Sequence, residues 1–126
     1  MTHAAVMYAK NLDRMVSFYT KTFGLTVAEA QRGDYAVLTG PEVELSIVQI
    51  PEHIASQIEI SSPPHARSRT PIKLAFVVSS IDETLDATRL RGGRIEDGSK
   101  RWQFRGHSIQ DAIDPEGNVY QLREPL

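Results

Sequence analysis

The sequence predicts an α+β fold: two tandem βαβββ modules whose strands form a curved mixed sheet around a cleft. Three observations carry this. The chain repeats itself, each copy has a helix-start signal behind its first strand, and each has a turn signal ahead of its last strand. With an offset of 69 residues, Ala5-Val6-Met7-Tyr8-Ala9 falls on Leu74-Ala75-Phe76-Val77-Val78, Leu12 on Ile81, Asp13 on Asp82 and Gly24 on Gly93. With an offset of 77, Gly40-Pro41-Glu42-Val43-Glu44-Leu45 falls on Gly117-Asn118-Val119-Tyr120-Gln121-Leu122. The change of 8 between the offsets reads as an insertion in the second copy.

Each copy opens with a short apolar run that reads as a buried strand. In the first, Asn11 precedes a helical pattern with Leu12, Met15, Val16, Tyr19 and Phe23 on one face, and Gly24 supplies the stop. In the second, Ser80-Ile81-Asp82-Glu83 is a capping box. Ile81, Leu85 and Thr88 form the apolar face there, and Gly92-Gly93 ends the helix. Strand-like stretches follow at 26–30, 35–38 and 43–50 in copy one. In copy two they fall at 94–96, then 101–104 with 108–113, then 119–123. Asp114-Pro115-Glu116-Gly117-Asn118 is a hairpin loop: Pro115 presets the first turn dihedral, Gly117 supplies a positive φ, and Asp114 bonds the amides ahead of it. Thr39-Gly40-Pro41 occupies the matching place in copy one. The segment 51–71 carries Pro51, Pro63, Pro64 and Pro71, with a helical turn around 53–58, and reads as a stiffened linker. The whole chain, 1–126, is expected to be a single domain: module one at about 3–50, the linker at about 51–72 and module two at about 73–124.

Composition narrows function. With 14 Lys plus Arg against 16 Asp plus Glu, the net charge of −2 gives no reason to expect nucleic acid or an anionic membrane as partner. The basic cluster Arg89, Arg91, Arg94, Lys100, Arg101 and Arg105 is interleaved with Glu83, Asp86, Glu96 and Asp97, which makes a solvated mixed surface. The absence of cysteine excludes disulfides, thiolate metal sites and cysteine nucleophiles. The start, Met1-Thr2-His3, lacks a signal-peptide pattern, so a cytoplasmic protein is expected. His53, His65 and His107 lack the local spacing of a metal motif, and no Ser-His-Asp arrangement stands out.

The run from Ala4 to Asp13, Phe18-Tyr19 with Phe23-Gly24-Leu25, Leu74 through Asp82, and Asp114 through Leu122 together resemble the vicinal oxygen chelate superfamily. That group holds glyoxalases, bleomycin-resistance proteins and extradiol dioxygenases. The resemblance implies a homodimer. It also implies that metalloenzyme members place a ligand on the first and last strand of each module, positions held here by Ala4, Glu44, Lys73 and Gln121. Ala4 has no donor atom and Lys73 is an ammonium, so only Glu44 and Gln121 remain, too few for a hard or borderline divalent ion. The expectation is therefore no metal and no cofactor. The alternative is a divalent metal ion on Glu44, Gln121 and His3, which needs a bulge to turn His3 inward, and a lyase, isomerase or dioxygenase activity.

The first reading is a protein that binds an apolar or aromatic small molecule in its cleft; a third is a structural or regulatory module. Cleft candidates are Glu44 and Ser46 on one strand face, Gln121 at the position repeating Glu44, and Lys73, whose charge would replace the ion and pair with Glu44. Lys73 reads equally as the solvated start of its strand. Trp102 and Phe104 alternate with Arg101, Gln103, Arg105 and His107, which places the two aromatics together as core or as a stacking wall. His107 would line the mouth. Tyr8, Tyr35 and Tyr120 are further cavity candidates, with Tyr8 open to a helix-facing reading.

Overall fold

The computed structural model describes residues 3–126. The chain divides into two compact units, Met1–Glu59 and Ile60–Leu126, each built on the order β-α-β-β-β. The first holds β1 (Ala4–Ala9), α1 (Leu12–Phe23), β2 (Thr26–Gln31), β3 (Tyr35–Gly40), β4 (Val43–Gln49) and the short α2 (Glu52–Ala55). The second holds β5 (Leu74–Val77), α3 (Ile81–Leu90), β6 (Trp102–Phe104), β7 (His107–Ile113) and β8 (Val119–Pro125). Each unit has its own four-stranded sheet, ordered β1-β4-β3-β2 and β5-β8-β7-β6, and neither sheet is closed. In both, the first strand runs parallel to the last and the other pairs are antiparallel, so the sheets are mixed.

The helix starts follow from side chains that accept orphan amides. Asn11 Oδ1 accepts from the Arg14 amide at 3.1 Å, and Ser80 Oγ accepts from the Glu83 amide at 3.2 Å. A second device, invisible in the local sequence, is common to both units. The amide of Leu12 donates to Gln49 Oε1 on β4 at 3.0 Å, and that of Ile81 donates to Glu124 Oε2 on β8 at 2.8 Å. The last strand of each sheet thus ties down the start of its helix.

Period-two burial sets the faces. In the first unit Ala36, Leu38, Leu45 and Ile47 are buried with Leu12, Met15, Phe18 and Tyr19 of α1. Phe18 joins the buried stripe while Val16 and Phe23 are only half-buried, and it packs edge-on against Tyr19 with ring centroids 5.1 Å apart. In the second unit Ala112, Tyr120 and Leu122 face α3, which buries Ile81, Thr84, Leu85 and Thr88. Thr88 Oγ1 and Tyr120 Oη are hydrogen-bonded inside that layer. Burial pushes the Tyr120 phenol well above its ordinary value of 10, so this tyrosine is a core residue and does not line a cavity.

The hairpin loop forms as its residues dictate. Asp114, fully buried, accepts from the amides of Glu116 at 2.9 Å and Asn118 at 3.0 Å and from Asn118 Nδ2 at 2.8 Å. Gly117 has φ +90° and a second constraint: a Cβ there would stand 2.2 Å from the His65 carbonyl oxygen. The Arg67 amide donates to the Gly117 carbonyl at 2.7 Å, and Arg94 Nε donates to the Pro64 carbonyl. Residues 64–67 of the linker are therefore strapped onto the second unit.

Two expectations change. The stretch 94–96 is no strand of its own: only Arg94 bridges to Ile113. And residues 101–107 do not run straight. Arg105 at φ 49° and Gly106 at φ 75° make a two-residue hairpin turn, which brings His107 opposite Phe104.

Candidate ligand-binding faces

Each sheet has a second face, turned away from its helix. In the first unit the register lines up Ala4 with Glu44 and Thr39, Val6 with Ser46 and Val37, and Tyr8 with Val48 and Tyr35. Glu44 and Ser46 therefore share this face, as period two requires. Tyr8 lies here too, 64% exposed, so it is not on the helix side. Tyr35 Oη donates to Glu29 Oε2 at 3.1 Å; that bond, then the carboxylate charge, raises the phenol pKa.

In the second unit the corresponding face carries Ala75, Gln121 and Asp111 in one row, Val77, Arg123, Ile109 and Trp102 in the next, and His107 with Phe104 at the hairpin end. Trp102 and Phe104 are 42% and 52% exposed. Because paired antiparallel residues share a face, His107 stands on the aromatic side, not with Arg101 and Gln103 as an unbroken alternation implies. Arg101 does take the other side: its guanidinium bonds Asp82 of α3 at 2.6 Å and Gln110 at 3.1 Å. His107 Nδ1 lies 2.9 Å from the Arg105 carbonyl, which can only accept, so that nitrogen carries a proton.

Lys73 precedes β5 and forms an ion pair with Asp111 Oδ2 at 2.7 Å, the two side chains being 41% and 30% exposed. Gln121 stands opposite Ala75 and is thus two residues along the sheet from Lys73; its Oε1 accepts from Arg123 Nε at 2.7 Å. His3 is exposed and lies one residue before β1. Among the described residues no three His, Asp or Glu side chains are grouped to hold a metal ion.

A cavity of about 720 Å³ opens on this second unit. Its floor includes Ile113, Val119 and the Lys73–Asp111 pair; its walls are the strapped linker, with Arg67, and the loop after Arg94 that carries Glu96 and Asp97. The loop arises because the edge strand beside β7 is interrupted. Arg94 pairs with Ile113 and Trp102 with Ile109, so eight residue steps on the edge match four on β7. Sequence reasoning registered the insertion but not what it builds. Asp111, a carboxylate amid Ile109, Ala112 and Ile113, was the available signal.

The model of the Glyoxalase/Bleomycin resistance protein/Dioxygenase superfamily matches residues 1–122. The chain belongs to this superfamily. Solved members share its architecture. A glyoxalase/bleomycin resistance protein/dioxygenase family enzyme from Burkholderia phytofirmans PsJN superposes with a TM-score of 0.73 at 16% identity, covering 98% of this chain and 97% of that one. A glyoxalase/bleomycin resistance protein from Albidiferax ferrireducens T118 gives 0.68 at 19%, with 100% and 98% covered. Lactoylglutathione lyase from Agrobacterium tumefaciens gives 0.66 at 20%, with 98% and 92% covered. At these identities the superfamily likeness is one of fold. No curated protein matches the chain by sequence. None of the helices among the described residues is long and apolar enough to cross a membrane.

Proposed function

We propose that this superfamily member binds an aromatic small molecule against the open face of its second unit, without a metal ion. The observation that carries the reading is the pair Trp102 and Phe104: two large rings left exposed on one face, in strand rows that lead toward the cavity. A planar ligand gains contact area on such rings at small entropic cost, with His107 at the same end and Gln121 and Lys73 farther along. Glu44 and Ser46 offer polar contacts on the equivalent face of the first unit.

The donor chemistry supports a metal-free site. Ala4 offers no ligand atom, Lys73 is a cation paired with Asp111, and the Gln121 carbonyl oxygen accepts from the cationic Arg123 beside it. Glu44 alone is an anionic donor among the four positions the superfamily uses. A homodimeric, cytoplasmic protein with no nucleic-acid or membrane partner completes the reading; the net charge of −2 accords with it.

The test is calorimetric titration with 2-naphthamide, a neutral planar probe. Saturable binding that weakens about tenfold or more in Trp102→Ala, roughly 1.4 kcal/mol, is the expected result. Binding unaffected by that substitution would place the ligand elsewhere.

A further inference from the structure

The charged side chains that line the cavity of the second unit are unevenly paired. Three cations line it: Arg67, Lys73 and Arg94. Lys73 spends one of three N–H donors on Asp111 Oδ2. Arg94 spends Nε on the Pro64 carbonyl and Nη2 on Glu96 Oε1, which leaves three of its five. Arg67 forms no ion pair within 4 Å among the described residues, so its fork is intact.

Three acids line the same cavity, and two of them are ion-paired through one oxygen each. Glu96 Oε1 faces Arg94 at 3.3 Å and Asp111 Oδ2 faces Lys73 at 2.7 Å, while the second Asp111 oxygen, Oδ1, is buried without a hydrogen-bond partner. Asp97 stays exposed in the loop between Arg94 and β6. Formal charges cancel, but the pairing is uneven: Lys73 and Arg94 each hold an acid, whereas Arg67 has no ion pair among the described residues and lines a cavity whose floor, Ile113 and Val119, is apolar.

We infer that this cavity takes the oxyanion of an amphiphilic ligand, with Arg67 as its principal partner and Lys73 and Arg94 as auxiliary donors. An arginine fork matches a carboxylate or phosphate bidentately, and a guanidinium is less strongly hydrated than an ammonium, so Arg67 is the group with most to gain. The Gly117 contact gives this residue its position. Only a residue without Cβ lets the His65 carbonyl approach, and the Arg67 amide is bonded to Gly117 itself. This inference rests on the proposed aromatic site: the ring would lie on Trp102 and the oxyanion at Arg67, making the ligand an aromatic carboxylate or aryl phosphate.

Three titrations of the full chain separate the two claims. 2-Naphthoate should bind at least tenfold more tightly than 2-naphthamide, and Arg67→Gln should abolish that ratio, while Arg67→Lys, which keeps the charge but not the fork, restores part of it. Trp102→Ala should weaken both compounds by the same factor. Inorganic phosphate alone, compared with chloride at equal ionic strength, should shift the Arg67 Nε–Hε signal in a nitrogen-15 spectrum. Equal affinities for the two naphthalenes, or a ratio untouched by Arg67→Gln, would overturn the oxyanion site and leave the aromatic reading standing. A phosphate-induced shift with neither naphthalene binding would do the reverse; no phosphate-induced shift would refute the oxyanion site whatever the aromatics do.

Discussion

The two units share one blueprint and diverge at one edge. In the first, β2 runs unbroken beside β3, with only a bulge between Val27 and Glu29. In the second, the same edge is split into the Arg94 bridge and β6, and the residues between them leave the sheet to wall a cavity. The shared parts are those that stabilise a sheet under a helix: equivalent core residues, an N-cap, and a last-strand side chain on the first helical amide. The unshared part is where charged side chains gather around a cavity. In this protein the internal repeat explains the scaffold, and its largest irregularity walls the cavity.

Equivalent core positions give the strongest test of the shared part. Ile47 and Leu122 hold matching places on β4 and β8, opposite Met7 and Phe76, and both are 0% exposed. Replacing either with Ala should cost about 3 kcal/mol, read as a drop in denaturant midpoint. A much smaller loss at Leu122 would mean that the second sheet is supported differently. Next comes Gly117→Ala, where a left-handed backbone and a 2.2 Å approach coincide. A loss of about 2 kcal/mol is expected, together with weaker ligand binding, because the strap that seats Arg67 must move. Gly33→Ala is the control: its φ of +76° is similar but nothing crowds it, so ligand binding should be retained.

Tyr120→Phe should cost about 1–2 kcal/mol by leaving the buried Thr88 hydroxyl without its partner. Its pH dependence has a definite sign. The folded state holds the phenolic proton more tightly than the unfolded chain, whose tyrosine titrates near 10. Above pH 10 the unfolded state therefore binds fewer protons, and stability falls as pH rises toward the folded pKa. The stabilisation is fully present below pH 10. Alkaline melts of Tyr120→Phe should lose this slope; an unchanged slope would assign it to another group. Smallest of all is Lys73→Met. The Lys73–Asp111 pair is partly exposed, so removing it should change stability by at most about 1 kcal/mol, with the difference shrinking in salt.

How far the sequence could be read depended on the range of each interaction. Asn11, Ser80 and the Asp114–Asn118 loop act on amides two to four residues away, so their residue types announce them. The Arg105-Gly106 turn did not announce itself, because an arginine at φ 49° is not a residue that a turn signal includes. That one turn moved His107 to the opposite face. Lys73 was singled out as a cleft candidate with Glu44 as its expected partner, but the partner it has, Asp111, lies 38 residues away and is found only through the β7–β8 register. Likewise the match of Gln121 to Glu44 identified the face correctly but could not reveal the two-residue displacement from Lys73, since a shift by two preserves which side a strand residue faces. Arg67 escaped notice because a linker residue gains meaning only once the strap is seen.

The measurement that bears most directly on the account is a fluorescence titration of Trp102, the chain's single tryptophan, with 2-naphthamide in the presence and absence of EDTA. The account predicts saturable quenching with the same midpoint in both. Quenching that vanishes with the chelator and returns with Zn, Ni, Mn or Fe(II) would contradict it, and would put a metal-dependent enzyme in place of a metal-free binding protein.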